Sequence, residues 1–377
     1  MGIVEEVRER RSHLLGQLEE IVTRESPTLD KAAVDRLAHY LQERTRELDG
    51  DVTVYPQESY GDLTVASWSG AGETVGSILV MTHIDTVWPL GTIDRLPYLI
   101  EGDIGRGPGI FDMKASVAMM LEALAMVRER RAPHRAIRWL INTEEEVGSP
   151  ASRALIESLA RESDYVLCLE PPVPPIGSLK TSRKGVGRFT MRIHGRASHA
   201  GADPEKGISA IQELANQIHY LHSLTDFALG TTVNVGVVHG GTRPNVVAAE
   251  AEAEIDLRVA TIDEAGRVVE AIRQTRPRLL GTAVTVEGGL NRPPMERTPA
   301  VVAAFERARE IGAGMGLALT EAGTGGGSDG NFTAAAGATT IDGLGCPGDG
   351  GHAEHEHILI PGLFERTALL FGLLTQL

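Results

Sequence analysis

The sequence of 377 residues lacks several features, and each absence excludes a class of protein. Its two cysteines, Cys168 and Cys346, are too few for a disulfide framework. No apolar run approaches the roughly 20 residues that a membrane-spanning helix requires. Basic residues are outnumbered, with 36 Lys and Arg against 51 Asp and Glu, so the net charge is −15. Because nucleic-acid binding requires an excess of basic side chains to neutralise phosphates, we expect neither a nucleic-acid nor a membrane partner.

Other signals are also missing. The chain shows no internal repeat and no low-complexity tract. Its glycine-rich stretch 323–330 lacks the Gly-Lys-Ser/Thr ending of a P-loop and the G-x-G-x-x-G pattern, so phosphate binding is not indicated. Residues 1–25 are rich in Glu and Arg and predict an amphipathic helix rather than a signal peptide, which favours a cytoplasmic location. Residues 1–48 as a whole predict two helices, broken near residues 26–28.

Three short apolar runs in the first half of the chain have the pattern of buried strands. They are residues 77–82, 137–141 and 165–169, and helical patterns alternate with them. This alternation predicts an α/β sheet, in which ligands bind beyond the carboxyl ends of the strands. Each run ends in a ligand-type side chain: His83 and Asp85 after the first, residues 144–146 after the second, and Glu170 after the third.

A further acidic residue, Asp112, follows a glycine-rich loop (105–109) and precedes a predicted helix over 115–130. Its carboxylate is therefore placed to face a site, and we interpret it as a bridge between two metal ions. Two ions about 3.5–4 Å apart require one shared carboxylate and separate further ligands.

The residue types of the candidate site indicate which metals it suits and which roles its members could have. Imidazole and carboxylate groups without thiolates suit zinc, cobalt or manganese. Asp85 is placed to orient the His83 ring. Glu145 and Glu146 are adjacent, so one is expected to bind a metal and the other to act as a general base. Which of the three glutamates 144–146 does which, and which of the histidines 352, 355 and 357 is a ligand, stays open from the residue types alone.

The middle of the chain has a different pattern. After a proline-rich linker at 171–175, strands and helices are predicted in the order β-α-β-β-α-β, which is typical of a ferredoxin-like sandwich. We therefore predict an inserted domain over 182–293 and a discontinuous domain over 1–181 and 294–377.

Taken singly, these residues have plain structural alternatives. Asp112 could cap a helix, His83 could be a core histidine, and Glu170 could simply end a strand. His199 alone would be structural, and Arg258 alone would form a surface ion pair. The combination of ligand types at several strand ends favours a metal site over these alternatives.

Nine stretches of the sequence resemble, in order, the M20 family of zinc metallopeptidases, and within it the glutamate carboxypeptidase (carboxypeptidase G2-like) branch. They are 82–86 (THIDT), 107–114 (GPGIFDMK), 143–149 (TEEEVGS), 169–171 (LEP), 197–201 (ASHAG), 243–247 (RPNVV), 256–258 (DLR), 325–329 (GGGSD) and 352–356 (HAEHE). The resemblance implies a zinc-exopeptidase-like catalytic domain with helices on both faces of a central sheet. It also implies that the inserted ferredoxin-like domain is a lid and dimerisation domain, and that the protein is a homodimer.

The resemblance further implies a role for each matching residue. The metal ligands would be His83 and Glu170 for one zinc, Glu146 and His352 for the other, and Asp112 for both. Glu145 would be the general base, Asp85 would orient His83, and His199 would polarise the substrate carbonyl in the neighbouring subunit. The implied substrate-binding residues are Asn245, Arg258, Arg292 and Gly326, with the arginines suited to a carboxylate.

The function that follows is metal-assisted hydrolysis of a peptide or N-acyl amino acid with a free C-terminal carboxylate, with C-terminal glutamate as the expectation from the branch. The cofactor would be two Zn²⁺ per subunit, with Co²⁺ or Mn²⁺ as alternatives. The rivals are an N-acyl-amino-acid deacylase, an allantoate- or carbamoyl-type amidohydrolase, in whose relatives a His replaces Glu170, and a metal-free, non-catalytic homologue.

Overall fold

The computed structural model describes residues 2–73 and 75–377. The chain forms two compact units. The first comprises Met1–Ser182, Arg297–Thr324 and Ser328–Leu377, and the second comprises Arg183–Glu296 with Gly325–Gly327. Within the described ranges, no helix has both the length and the apolar character needed to cross a membrane.

Helices and strands account for most of the described chain. In order they are α1 Ile3–Glu9, α2 Arg11–Val22, α3 Lys31–Glu47, β1 Asp51–Tyr55, β2 Leu63–Trp68, β3 Ser77–His83, β4 Leu99–Glu101, β5 Ile104–Arg106, α4 Ala115–Arg130, β6 Ala136–Asn142, α5 Arg153–Arg161, β7 Tyr165–Cys168, β8 Leu179–Arg183, β9 Gly185–His194, α6 Ala210–His222, β10 Thr232–Gly240, β11 Glu250–Val259, α7 Ile262–Arg273, β12 Ala283–Arg292, α8 Pro299–Gly314, β13 Glu321–Thr324, α9 Gly330–Ala335, β14 Thr339–Ile341, β15 Gly348–Asp349, β16 His357–Leu359 and α10 Ile360–Gln376.

The main sheet of the first unit has the strand order β1-β2-β6-β3-β7-β14. Strands β6, β3, β7 and β14 run parallel, whereas at one edge β2 pairs antiparallel with β6 and β1 pairs antiparallel with β2. The side chains of β3 alternate between two apolar cores. Ile78 and Val80 belong to the core on one side, and Leu79 and Met81 belong to the core on the other. Because both faces of the strand are apolar, helices cover the sheet on both sides, and the predicted α/β class is confirmed.

The carboxyl ends of the parallel strands bring the candidate ligands to one edge of the sheet. His83 is the last residue of β3 and lies beside Asn142, the last residue of β6. The turn with Glu145 and Glu146 follows β6, and Glu170 follows β7 by two residues. The convergence predicted from the ends of three apolar runs is therefore present in the fold.

The second unit contains an antiparallel sheet in the order β10-β11-β9-β12. Every second residue of β11 is buried, including Ile255 and Leu257, and these side chains share a core with Leu214 of α6 and Val268 of α7. The chain order β-α-β-β-α-β and the sheet order together give the predicted ferredoxin-like arrangement.

The amino-terminal region differs from its prediction. Apart from Met1, which lies outside the described residues, the helix expected over 1–25 is two helices that meet at Arg10. The start of α3 follows the expected rule, because the backbone N–H of Ala33 donates to Asp30 Oδ1 at 2.9 Å and so caps the helix. The short strands β4, β5, β15 and β16 form a small sheet that the sequence did not indicate, since two or three residues are too few to show an alternating pattern.

Candidate metal centre

His83 is buried, and its ring has a defined orientation. Its Nδ1 donates to the backbone carbonyl of Asp85 at 3.0 Å. Its Nε2 lies 3.1 Å from Asp112 Oδ1 and 3.5 Å from Glu170 Oε1. Because the Nδ1 proton is held by a carbonyl oxygen, Nε2 is the nitrogen that a metal ion can bind.

Glu170 reaches this position because the chain behind it is tightly packed. Its backbone carbonyl accepts a hydrogen bond from the N–H of Gly345 at 2.9 Å. A Cβ atom on Gly345 would lie 2.5 Å from the carbonyl oxygen of Leu169 and 2.8 Å from that of Glu170. Only glycine permits this approach, so the segment after β14 supports the end of β7.

Asp112 uses its two carboxylate oxygens in different directions. Oδ1 faces His83, whereas Oδ2 lies 3.3 Å from His352 Nε2. The same His352 nitrogen lies 3.1 Å from Glu146 Oε2. Two groups of three ligand-type atoms result, each with all members within 4.8 Å of one another: His83, Asp112 and Glu170, and Asp112, Glu146 and His352. Asp112 belongs to both groups, which is the arrangement that a carboxylate bridging two ions requires.

The chemistry of these residues fits a pair of divalent cations. Three carboxylates converge on two imidazoles, so the cluster carries excess negative charge. Glu146 Oε1 is buried and has no hydrogen-bond partner among the described residues, a situation that is costly for a carboxylate oxygen. Each group offers three nitrogen or oxygen ligands and no thiolate, as in catalytic sites that keep a position open for water or substrate.

The protonation of the cluster reflects the same excess of carboxylates. Burial alone would lower the pKa of His83, but hydrogen bonds to Asp112 and Asp85 outweigh it and raise that pKa well above its usual value. Hydrogen bonds to Asp112 and Glu146 raise the pKa of His352 to about 10. Burial would raise the pKa of Asp112, yet the two imidazoles hold it well below its usual value. A divalent cation bound here would compete with protons for these imidazole nitrogens.

Asp85 connects the two halves of the cluster. It is fully buried, and Oδ1 lies 3.4 Å from His83 Nδ1. Its carboxylate also accepts the backbone N–H groups of Glu145 and Glu146, each at 3.2 Å, and the hydroxyl of Thr28 at 2.9 Å. Asp85 therefore holds both His83 and the turn Glu145–Val147. Within that turn, the side chain that reaches His352 is Glu146, whereas Glu145 is half-buried beside it.

Among the three nearby histidines, the structure places His352 in the cluster. His352 has a φ of 65°, in the left-handed region that non-glycine residues rarely adopt and that costs roughly 1–3 kcal/mol. His357 instead pairs its Nδ1 with the backbone carbonyl of His355 at 2.9 Å. The backbone conformation, which the sequence does not show, brings the His352 side chain to Asp112 and Glu146.

Sequence reasoning gave no role to two buried carboxylates near the cluster. Asp329 accepts hydrogen bonds from Asn142 and Ser149, which flank the turn with Glu145 and Glu146. Glu356 accepts backbone N–H groups from the loop that carries Asp112. Both residues lie in stretches that resemble the M20 family, 325–329 and 352–356. The sequence alone did not show which groups their carboxylates contact.

In the second unit, His199 and Asn245 lie on neighbouring segments. The backbone carbonyl of Asn245 accepts the N–H of Ala200 at 2.9 Å. His199 Nδ1 accepts the backbone N–H groups of Gly201 and Ala202 at 3.1 and 3.0 Å. In the neutral ring the proton must therefore be on Nε2, and the side chain is exposed, so Nε2–H is available as a donor.

The other predicted substrate-binding residues also lie in the second unit. Arg258 forms a two-point ion pair with Asp256, at 2.9 and 3.0 Å, and its Nη1 lies 3.3 Å from the Gly325 carbonyl. The Gly326 carbonyl accepts a hydrogen bond from Arg183 at 3.2 Å. Arg292 ends β12 and is only 5% exposed. The candidate metal ligands therefore belong to the first unit, and the residues predicted to bind substrate belong to the second.

Comparison with known proteins identifies one peptidase family and several similar peptidases. The model of peptidase family M20/M25/M40 matches residues 79–376. Carboxypeptidase G2 from Pseudomonas sp. (strain RS-16) is 30% identical over 370 residues, which cover 96% of this chain and 88% of that protein. Aminopeptidase PepT from Bacillus cereus has a similar structure, with a TM-score of 0.81 at 23% identity, covering 96% of this chain and 97% of that one. The YXEP protein of Bacillus subtilis, described as a dinuclear metal-binding peptidase, aligns with a TM-score of 0.73 at 16% identity, covering 98% of each chain.

Proposed function

Because this chain belongs to peptidase family M20/M25/M40 and is a metal-dependent hydrolase, we propose that it cleaves the amide bond of a peptide or N-acyl amino acid with a free C-terminal carboxylate. The observation that carries the proposal is Asp112, which is shared between two groups of three ligand atoms. C-terminal glutamate is the first substrate to test, because of the resemblance to carboxypeptidase G2. In this proposal the first unit is the catalytic domain and the second is the lid and dimerisation domain. The cytoplasmic location stays a prediction.

Two divalent ions are proposed, with zinc as the first candidate and cobalt or manganese as alternatives. His83 and Glu170 would hold one ion, Glu146 and His352 the other, and Asp112 both. When bound, the ions supply Lewis-acid activation of water and of the scissile carbonyl.

Glu145 is proposed as the general base. Its backbone is fixed by Asp85, and it lies next to Glu146, whose carboxylate is committed to the cluster. Glu145 would take a proton from the attacking water and pass it to the leaving nitrogen, so that the amine departs in neutral form.

His199 is proposed to donate its Nε2–H to the carbonyl oxygen as negative charge develops there. The two backbone N–H groups on Nδ1 support this role, since they fix the tautomer that donates. As the family resemblance implies, His199 would act in the active site of the partner subunit of a homodimer. Arg258 and Arg292 would bind the substrate carboxylate, and Asn245 and Gly326 would contact the substrate backbone.

Chelation is the first test of the proposed function. Protein purified without chelator should contain about two metals per chain and hydrolyse N-acyl glutamates. Removal of the metal should abolish the activity, and added Zn²⁺ should restore it. A parallel panel of acetylated amino acids would reveal a deacylase instead. Protein that neither binds metal nor hydrolyses any of these amides after reconstitution would be a non-catalytic homologue.

A mixing experiment tests the role of His199 in the partner subunit. His199→Ala and Glu145→Gln should each inactivate the homodimer, the first by about 10²–10³-fold as a lost oxyanion donor. A mixed dimer would have one site with both residues intact. Random reassociation should therefore restore roughly a quarter of the wild-type activity, because half of the dimers are mixed and each has one intact site. If each variant alone is inactive and mixing restores nothing although mixed dimers form, His199 acts within its own subunit. If His199→Ala alone is fully active, His199 has no catalytic role.

A further inference from the structure

Glu356 is a buried carboxylate outside the proposed ligand set, and it accepts four N–H donors. Glu356 is only 4% exposed. Oε1 accepts the backbone N–H groups of Phe111 and Asp112 at 2.9 and 3.1 Å. Oε2 accepts the N–H of Gly109 at 2.9 Å and the indole N–H of Trp88 at 2.8 Å. Each oxygen therefore accepts two hydrogen bonds, so both oxygens of the side chain act as acceptors.

Three of these donors belong to the segment 105–112, here called the Asp112 loop. Gly107 and Gly109 in this loop have φ values of 151° and 70°, which only glycine adopts readily. Three N–H groups of this segment donate to the one carboxylate of Glu356, which therefore contributes to the position of Asp112. The only one of the four donors outside the loop is Trp88, which lies three residues after Asp85.

Glu356 also lies four residues after His352, on the same segment. The short segment 352–356 therefore carries both His352, which belongs to one ligand group, and Glu356, which accepts hydrogen bonds from the Asp112 loop. His352 Nε2 lies 3.3 Å from Asp112 Oδ2, and Glu356 Oε1 accepts the N–H of that same Asp112. A displacement of the Glu356 carboxylate would change the separation between these two ligands.

We propose that Glu356 is a positioning residue of the metal centre, which fixes the Asp112 loop so that one carboxylate oxygen faces His83 and the other faces His352. Glu356 touches neither metal nor substrate and acts through Asp112. The inference rests on the proposed metal centre but not on the proposed substrate, so a wrong substrate assignment would leave it intact.

The test is Glu356→Gln, which keeps the shape of the side chain but presents an NH₂ group to N–H donors. Zn²⁺ affinity is measured by competition with a chromophoric chelator, and the Co²⁺-loaded protein is examined by visible absorption, which reports ligand geometry. Both metal sites should weaken by about 10–100-fold, as is typical when an outer partner of a ligand is lost. The Co²⁺ bands should change, and kcat should fall while KM stays close to the wild-type value.

The matched control is Glu354→Gln, the same substitution two residues earlier. The Glu354 side chain is 74% exposed and pairs with Arg95 on the surface. This variant should bind both metals and turn over substrate like the wild type. Glu356→Asp retains the carboxylate on a shorter side chain and should recover part of the metal affinity that Glu356→Gln loses.

A purely structural role for Glu356 makes a different prediction. If Glu356→Gln lowers Tm yet binds two metals with wild-type affinity and an unchanged Co²⁺ spectrum below that Tm, the inference is wrong. If Glu356→Gln does not fold, Glu356→Asp decides alone, since wild-type affinity and spectrum in that variant would also contradict it. A wild-type protein that binds metal but cleaves no amide would overturn the proposed function and not the role of Glu356.

Discussion

Replacing Glu145 by Gln should lower kcat by about 10²–10⁴-fold while the protein keeps its metals, because a general base typically contributes that factor. The amide cannot accept the proton of the attacking water, yet it has nearly the same size as the carboxylate. The backbone hydrogen bond from Glu145 to Asp85, at 3.2 Å, does not depend on the side chain. Metal content is measured by elemental analysis and kcat with an N-acyl glutamate.

The informative partner is Glu146→Gln, one residue later. Glu146 Oε2 lies 3.1 Å from His352, so this variant should lose metal at the group formed with His352 and lose activity for that reason. Added Zn²⁺ at high concentration should restore part of the activity of Glu146→Gln and none of that of Glu145→Gln. The reverse pattern would show that the roles of the two glutamates are exchanged.

The residue types at the strand ends made the outline of this site predictable. Parallel strands must end at one edge of a sheet, so the sequence alone predicts that His83 and Glu170 converge. The order β-α-β-β-α-β likewise predicted the ferredoxin-like unit, because apolar alternation in strands such as β11 is a local property of the sequence.

The parts that escaped prediction depend on contacts between distant segments. Glu356 and Asp112 are 244 residues apart in the chain, and only the fold shows that the carboxylate of one accepts the N–H of the other. Asn142 and Asp329 are separated by 187 residues in the same way. Buried carboxylates of this kind look like ordinary surface acids in a sequence, because nothing local indicates their burial.

Asp112→Asn should have the largest effect on metal content, because it removes the one carboxylate that both ligand groups share. The affinity of both sites should fall by more than ~100-fold, which is the upper range for losing only an outer partner of a ligand. Activity should fall with it. The measurement is metal content after dialysis against a weak chelator, together with Zn²⁺ competition titration.

His352→Ala should behave differently, since His352 belongs to one group only. It should retain about one metal per chain, held by His83, Asp112 and Glu170. The matched control is His355→Ala, three residues away, which should retain both metals because His355 is exposed and outside either group. If Asp112→Asn and His352→Ala lost the same single metal, Asp112 would be a terminal ligand, and the shared-carboxylate centre from which the hydrolase mechanism follows would be wrong.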